Sequence, residues 1–138
     1  MPLRFTLKPY ERLIINGAAI RNGARNADFL VETQCKFLRE SEIIRESEAD
    51  TACKRLCVTL QVIHLSDQPA DAVTLFYAQA NTILRAMPSA APHLTAISEA
   101  LDERQTHKAI KAGKRLVAYE AELLKRVPAE SPAEIHAA

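Results

Sequence analysis

Two Asn-Gly dipeptides, Asn16-Gly17 and Asn22-Gly23, stand close together near the start of the chain. A two-residue type I′ turn demands φ > 0 at both central positions, which Asn and Gly tolerate, so each dipeptide is a strong local signal for a tight hairpin. The flanking residues agree. Leu3, Phe5 and Leu7 alternate with Arg4, Thr6 and Lys8, the period of a strand buried on one face. A turn at Pro9-Tyr10 leads into Arg12-Leu13-Ile14-Ile15 before the first dipeptide, and Ala18-Ala19-Ile20-Arg21 runs into the second. Val31, Thr33, Cys35 and Phe37 then alternate with Glu32, Gln34, Lys36 and Leu38, which reads as the best-defined strand. Residues 41–50 are rich in Glu and read as a connector, with a short strand at Glu42-Ile43-Ile44. The Asn side chains are assigned turn geometry rather than a binding role.

The period changes from two to 3.6 near Thr51. Asp50-Thr51 supplies an N-cap, and Cys53, Leu56, Cys57, Leu60 and Ile63 share one helical face. Residues 56–62 also alternate as a strand would, but the cap and the length favour a buried helix. A turn at Ser66-Asp67-Gln68-Pro69 precedes a second helix starting near Ala70 or Asp71, whose apolar stripe is Val73, Leu75, Phe76, Ala80, Ile83, Leu84 and Met87. Pro88 ends it, and Ser89-Ala90-Ala91-Pro92 reads as a linker. Leu94, Ile97 and Leu101 mark a third helix, broken at Gln105-Thr106. A fourth, over residues 107–126, turns Ile110, Leu116, Val117, Tyr119, Leu123 and Leu124 inward. The expected fold is therefore α+β in a single domain: a small antiparallel β-unit over residues 1–48, a bundle of three to four helices over 51–126, and a loose tail over 127–138.

A chain of 138 residues, 48% hydrophobic and 25% charged, is long enough to bury one core. Only three glycines occur, two of them in the Asn-Gly turns, so no glycine-rich loop is present to cradle a phosphate. Neither a nucleotide-driven activity nor a cofactor is expected. Cys53, Cys57 and His64 fall on one face of the first helix, but no second pair of ligands completes a zinc set; the thiols read as small buried hydrophobes and no metal is expected. Ser41, Ser47, Ser66 and Ser89 sit in no strand-turn-helix elbow, so the chain reads as a non-enzyme. The N-terminus lacks an apolar h-region, no segment reaches the length of a membrane span, and three cysteines suit a reducing compartment. Together these place the protein in the cytoplasm.

Net charge is +1, and its distribution says more than its sum. Residues 1–25 carry Arg4, Lys8, Arg12, Arg21 and Arg25 against Glu11 alone, whereas residues 26–50 carry three bases and seven acids. A basic edge beside an acidic connector suits an anionic partner. Arginine offers a planar fork of donors to phosphate and stacks on unpaired bases. Arg4, Lys8, Arg12, Arg21 and Arg25 are accordingly the candidate RNA-binding residues; a solvated sheet face is the alternative. Aromatic residues are sparse in the β-unit, and no RNP-like or GXXG signature is present.

Leu7-Lys8-Pro9 with Glu11, Ile15-Asn16-Gly17-Ala18, Phe37-Leu38, Thr51 ahead of Arg55 and the apolar run to Ile63, and Lys108-Ala109-Ile110-Lys111-Ala112 leading to Tyr119-Glu120 together resemble the flagellum biosynthesis repressor FlbT family. The similarity extends to about Leu124. Ala52 departs from the pattern, standing where family members often place Pro after the Thr that starts the first helix. The resemblance implies a small cytoplasmic regulator in a flagellated α-proteobacterium. Such a regulator associates with the 5′ untranslated region of flagellin messenger RNA and alters its translation and lifetime, repressing in some relatives and activating in others. It also implies a functional partnership with FlaF, a second small flagellin regulator. The competing expectation is a protein-interaction adaptor for flagellin or FlaF, acting on the message indirectly through a helical face. Short edge strands in the β-unit also point to a homodimer.

Overall fold

The computed structural model describes residues 3–33 and 35–126. Five strands come first, β1 (Leu3–Leu7), β2 (Arg12–Ile15), β3 (Ala18–Arg21), β4 (Ala27–Val31) and β5 (Phe37–Arg39), followed by helices α1 (Ala52–Leu65), α2 (Ala70–Ala86), α3 (Ala91–Asp102) and α4 (Thr106–Arg126). This is the α+β order that the change of period predicts. The strands make two antiparallel sheets: β1 pairs with β4, and β2 lies between β3 and β5.

The two Asn-Gly dipeptides do different work. Asn16 (φ 47°) and Gly17 (φ 83°) close the β2–β3 hairpin with Ile15 opposite Ala18, as a type I′ turn requires. Gly23 stays outside the positive-φ region, and Asn22-Gly23 closes no hairpin. Its Asn side chain instead donates to the carbonyls of Leu7, Lys8 and Arg25, while its backbone N–H donates to Glu11 O. Here the chain leaves β3 to pair with β1, and the amide satisfies carbonyls that no strand neighbour reaches. The single strand expected through residues 31–37 is two strands. β4 ends at Val31 and joins β1, whereas β5 begins at Phe37 and joins β2. Alternation marks which face is apolar but not where the chain changes sheets. The strand expected at 42–44 is also absent; 3₁₀ turns at Glu40–Glu42 and Glu46–Glu48 replace it, with Glu42 and Glu48 accepting from the Arg39 and Arg45 amides.

Register places the three-stranded sheet between two layers. Leu13, Ile15, Phe37 and Arg39 share one face, and Ile14 and Leu38 share the other. Phe37 stacks on Phe5 of the β1–β4 ribbon with ring centroids 5.6 Å apart. Leu38, fully buried, enters the helical core with Leu56, Leu60, Phe76, Ile97 and Leu116. Polar side chains complete the junction. Gln61 of α1 exchanges two hydrogen bonds with Ile44, accepting from its N–H at 2.6 Å and donating to its carbonyl at 3.0 Å, and Lys114 of α4 donates to Ser41 O at 2.8 Å.

In the helical part α4 packs along α1 and α3, and α2 packs on α1. Thr51 Oγ1 caps α1 by accepting from Lys54 N at 3.2 Å, so Ala52 starts the helix without the family's proline. The expected linker at 89–92 is instead a 3₁₀ turn, Pro88–Ala90, running directly into α3, with Pro92 in the first turn where its missing N–H costs nothing. The stripe expected on α2 is only partly inward: Phe76 and Ile83 are buried, but Leu75 and Leu84 are exposed, as is Tyr77 outside the stripe. Leu124, also expected inside, is exposed in the last turn of α4. The expected tail over 127–138 lies outside the described residues.

Gly113 sets how closely α1 and α4 approach. A Cβ there would lie 2.9 Å from Leu60 Cδ1 and 3.0 Å from Cys57 Sγ. A β-branched side chain cannot be housed without moving the helix pair, so Gly113→Val is expected to cost about 1–3 kcal/mol. Urea unfolding should show a lower midpoint at unchanged slope; an unchanged midpoint would mean that the two helices separate freely.

Candidate nucleic-acid interface

Asn22 joins two of the five candidate cations through their backbones, and two more stand opposite each other on the adjoining hairpin. The Asn22 side chain holds the backbones of Lys8 and Arg25 together at 2.8 Å each, and β2–β3 register sets Arg12 directly opposite Arg21. Arg21 Nη1 donates to the backbone carbonyl of Tyr10 at 3.0 Å, which ties the guanidinium to a turn whose Tyr10 is 58% exposed. Lys8, Arg12, Arg21 and Arg25 are all exposed. Arg4 lies apart, on β1 opposite Leu30. The corner has one weakness as an anion site: Arg12 lines a groove shared with Arg45 but also with Glu40 and Glu48 of the acidic connector.

The lone acid among these cations is shared between the corner and Arg39. Glu11 accepts from the Lys8 amide at 2.8 Å and from Arg39 Nη2 at 3.2 Å, and those two donors, the amide foremost, hold its carboxyl below the ordinary carboxylate value. Arg39 also donates to Thr6 O and lies over the Phe5 ring, 5.9 Å from its centroid. One guanidinium thereby ties β5 to the ribbon and takes up the carboxylate that would oppose Arg12.

A second polar junction lies at the other end of the hairpin. His64 of α1 is buried, with Nε2 3.0 Å from Phe37 O and Nδ1 2.7 Å from Thr106 Oγ1. A carbonyl only accepts, so Nε2 carries the proton and Nδ1 receives the Thr106 hydroxyl. Both nitrogens of the residue that shared a face with Cys53 and Cys57 are thus in use. Burial pushes both thiols up to about 12, leaving them protonated and unreactive. His107 bonds Glu42 across the same junction. Burial raises the Glu42 carboxyl, but the Arg39 amide and His107 outweigh it and hold it low.

The helical part carries a cationic surface that the charge reading overlooked. From Arg104 to Tyr119 there are five bases, Arg104, Lys108, Lys111, Lys114 and Arg115, and no acid. Balancing charge over residues 1–50 missed it because α4 lies outside that span. Scanning for the longest acid-free basic stretch would have found it. Lys114 turns to Ser41 O, whereas Lys108, Lys111 and Arg115 are exposed.

Comparison with known proteins supplies the family. Residues 3–124 match the family described as "Flagellar protein FlbT". The chain belongs to the FlbT family. Among its FlbT relatives, the probable flagellum biosynthesis repressor protein of Rhodopseudomonas palustris is 30% identical over 126 residues, covering 91% of this chain and 100% of the relative. A probable repressor of the same name from Bradyrhizobium diazoefficiens is 29% identical over 133 residues, covering 96% of this chain and 91% of that one. The flagellum biosynthesis repressor protein FlbT of Caulobacter vibrioides is 28% identical over 133 residues, covering 92% of each. No solved structure matches the chain. The FlbT match spans the β-unit corner and the basic stretch of α4 alike.

The His64 junction makes stability depend on pH. Burial is the first cause that lowers its pKa, reinforced by His107 and Lys36 and opposed by Phe37 O and Glu42. The unfolded chain therefore takes the proton first as pH falls. His64 contributes fully above the unfolded value of about 6.5 and loses its contribution as pH drops toward the lower folded value. Melting temperature is expected to fall between about pH 7 and 5, and less steeply in His64→Gln; equal slopes would place the proton uptake elsewhere.

Proposed function

We propose that the protein regulates flagellin synthesis after transcription, contacting the 5′ untranslated region of flagellin messenger RNA and repressing its translation or promoting its decay. Relatives that bear the name flagellum biosynthesis repressor support the direction of the effect. The observation that carries the RNA contact is the corner at Asn22: its side chain joins the Lys8 and Arg25 backbones, Arg12 stands opposite Arg21, Tyr10 is exposed, and the Glu11 carboxylate is paired with Arg39. Cations beside an open aromatic ring suit an unpaired strand, whose phosphates take the charge and whose bases stack. The protein acts in the cytoplasm, where the transcript is, and does so by binding rather than by catalysis. No helix among the described residues is long and apolar enough to cross a membrane.

One observation favours a second reading, an adaptor for flagellin or FlaF. Leu75, Tyr77 and Leu84 of α2 stay exposed, and no charged residue lies between Asp71 and Arg85. Tyr77 and Leu84 border the α2–α3 groove and Leu75 the α1–α2 groove on the opposite side; the uncharged Tyr77–Leu84 side suits a partner helix. The short strands β1, β3 and β4 at sheet edges support pairing with a second copy.

Binding titrations over a range of salt with flagellin leader RNA and a scrambled RNA of equal length separate the readings. If the corner binds phosphate, Arg12→Ala/Arg21→Ala/Arg25→Ala should weaken binding on both RNAs and lower the salt slope by about 0.7 for each phosphate left without its cation. Single exposed changes usually move stability by no more than about 0.5 kcal/mol, so melting should shift little. Equal affinity and slope for variant and wild type would remove the corner from the interface. A wild type without salt-sensitive RNA binding, but with retained flagellin or FlaF co-purification, would favour the adaptor.

A further inference from the structure

The start of α4 borders a cavity of about 890 Å³ between the Asn16-Gly17 turn, the end of α1 and the α3–α4 turn. Three cations from separate parts of the chain line it: Lys36 ahead of β5, Arg104 in the α3–α4 turn and Lys108 in the first turn of α4. Asp67 is the carboxylate on its wall. Lys36 Nζ donates to Ser66 O at 3.1 Å, which holds the ammonium at the rim. Lys108 is only loosely paired, its Nζ 3.9 Å from Glu103 Oε1, and both of those side chains are exposed. The walls also present the half-buried ring of His107 and the polar groups of Gln105 and Thr106.

The cavity opens onto a charged track. Lys108, Lys111 and Arg115 are three and four residues apart, so they form one row on α4, about 10 Å long at 1.5 Å per residue. All three are exposed, and no acid occurs from Arg104 to Tyr119. We infer that this cleft and row bind the phosphate groups of a single-stranded polynucleotide, an inference that rests on the RNA reading above but places a phosphate-binding surface on the helices. A row of like charge leading into a polar cavity suits a flexible chain of evenly spaced anions. It suits a protein partner less well, because affinity between proteins concentrates in apolar anchors seated in desolvated pockets, whereas the row Lys108, Lys111 and Arg115 is charged and exposed.

The test is a salt-dependent titration of the full chain with a uridine dodecamer. Its subjects are wild type, Lys108→Ala/Lys111→Ala/Arg115→Ala, and Lys111→Gln/Arg115→Gln as a milder second variant should the first melt early. The expected result is at least about a tenfold loss of low-salt affinity in the triple variant and a salt slope smaller by about 0.7 for each phosphate left without its cation. Unchanged affinity and slope in both variants, with wild type binding the dodecamer, would overturn the inference and leave the RNA reading standing on the β-unit corner. If wild type binds no RNA, the RNA reading fails and inorganic pyrophosphate decides the cleft. Amide shift changes confined to residues 104–108 would uphold a phosphate site there, and their absence would overturn it.

Discussion

The fold depends on how a short stretch, residues 36–44, is held against the helices. A two-stranded ribbon such as β1–β4 is marginal by itself, and among the described residues Leu38, with partly buried Ile43, carries the β-unit into the helical core. The rest of the attachment is polar and directed at backbone. His64 bonds Phe37 O, Gln61 bonds Ile44 through both its amide atoms, Lys36 bonds Ser66 O and Lys114 bonds Ser41 O. Buried hydrogen bonds of this kind add modestly when made and cost much more when broken, so they fix one docking geometry rather than supply bulk stability.

That geometry decides which charges remain free. Arg39 bridges the two sheets and pairs with Glu11, which offsets the one acid among the cations of the Asn22 corner. Glu42 takes His107, and Lys114 is drawn to the connector, so the acids of residues 40–48 sit against Arg12 and the helices rather than against Lys108, Lys111 and Arg115. An overall charge of +1 thus conceals two separate basic surfaces, one on the β-unit and one on α4. The hairpin β2–β3 links them, with Arg12 and Arg21 at its open end and Asn16-Gly17 at the cleft.

Much of this was legible in the residues. The Thr51 cap, the helical spacing of Cys53 through Ile63, Pro88 and the break before Thr106 fix the helices because each acts locally. The same local logic recovered the Asn16-Gly17 turn and misread Asn22-Gly23, where the side chain bonds a strand far away in sequence. Alternation through residues 31–37 could not reveal a change of sheet, because both halves keep an apolar face. The α2 stripe showed apolar residues but not that Leu75 and Leu84 stay exposed. Of the site, Lys8, Arg12, Arg21 and Arg25 could be named but not the Asn22 bonds that join the Lys8 and Arg25 backbones, and the α4 row was passed over because charge was balanced only over residues 1–50.

Hydrogen–deuterium exchange of the full chain, with and without flagellin leader RNA, tests most directly whether this protein works by gripping RNA at its basic surfaces. The account predicts slowed exchange in the RNA complex at residues 8–12 and 21–25 and at the start of α4, with the exposed face of α2 unchanged. Identical exchange with and without the RNA, at concentrations where the leader is saturating for a known RNA-binding control, would contradict it.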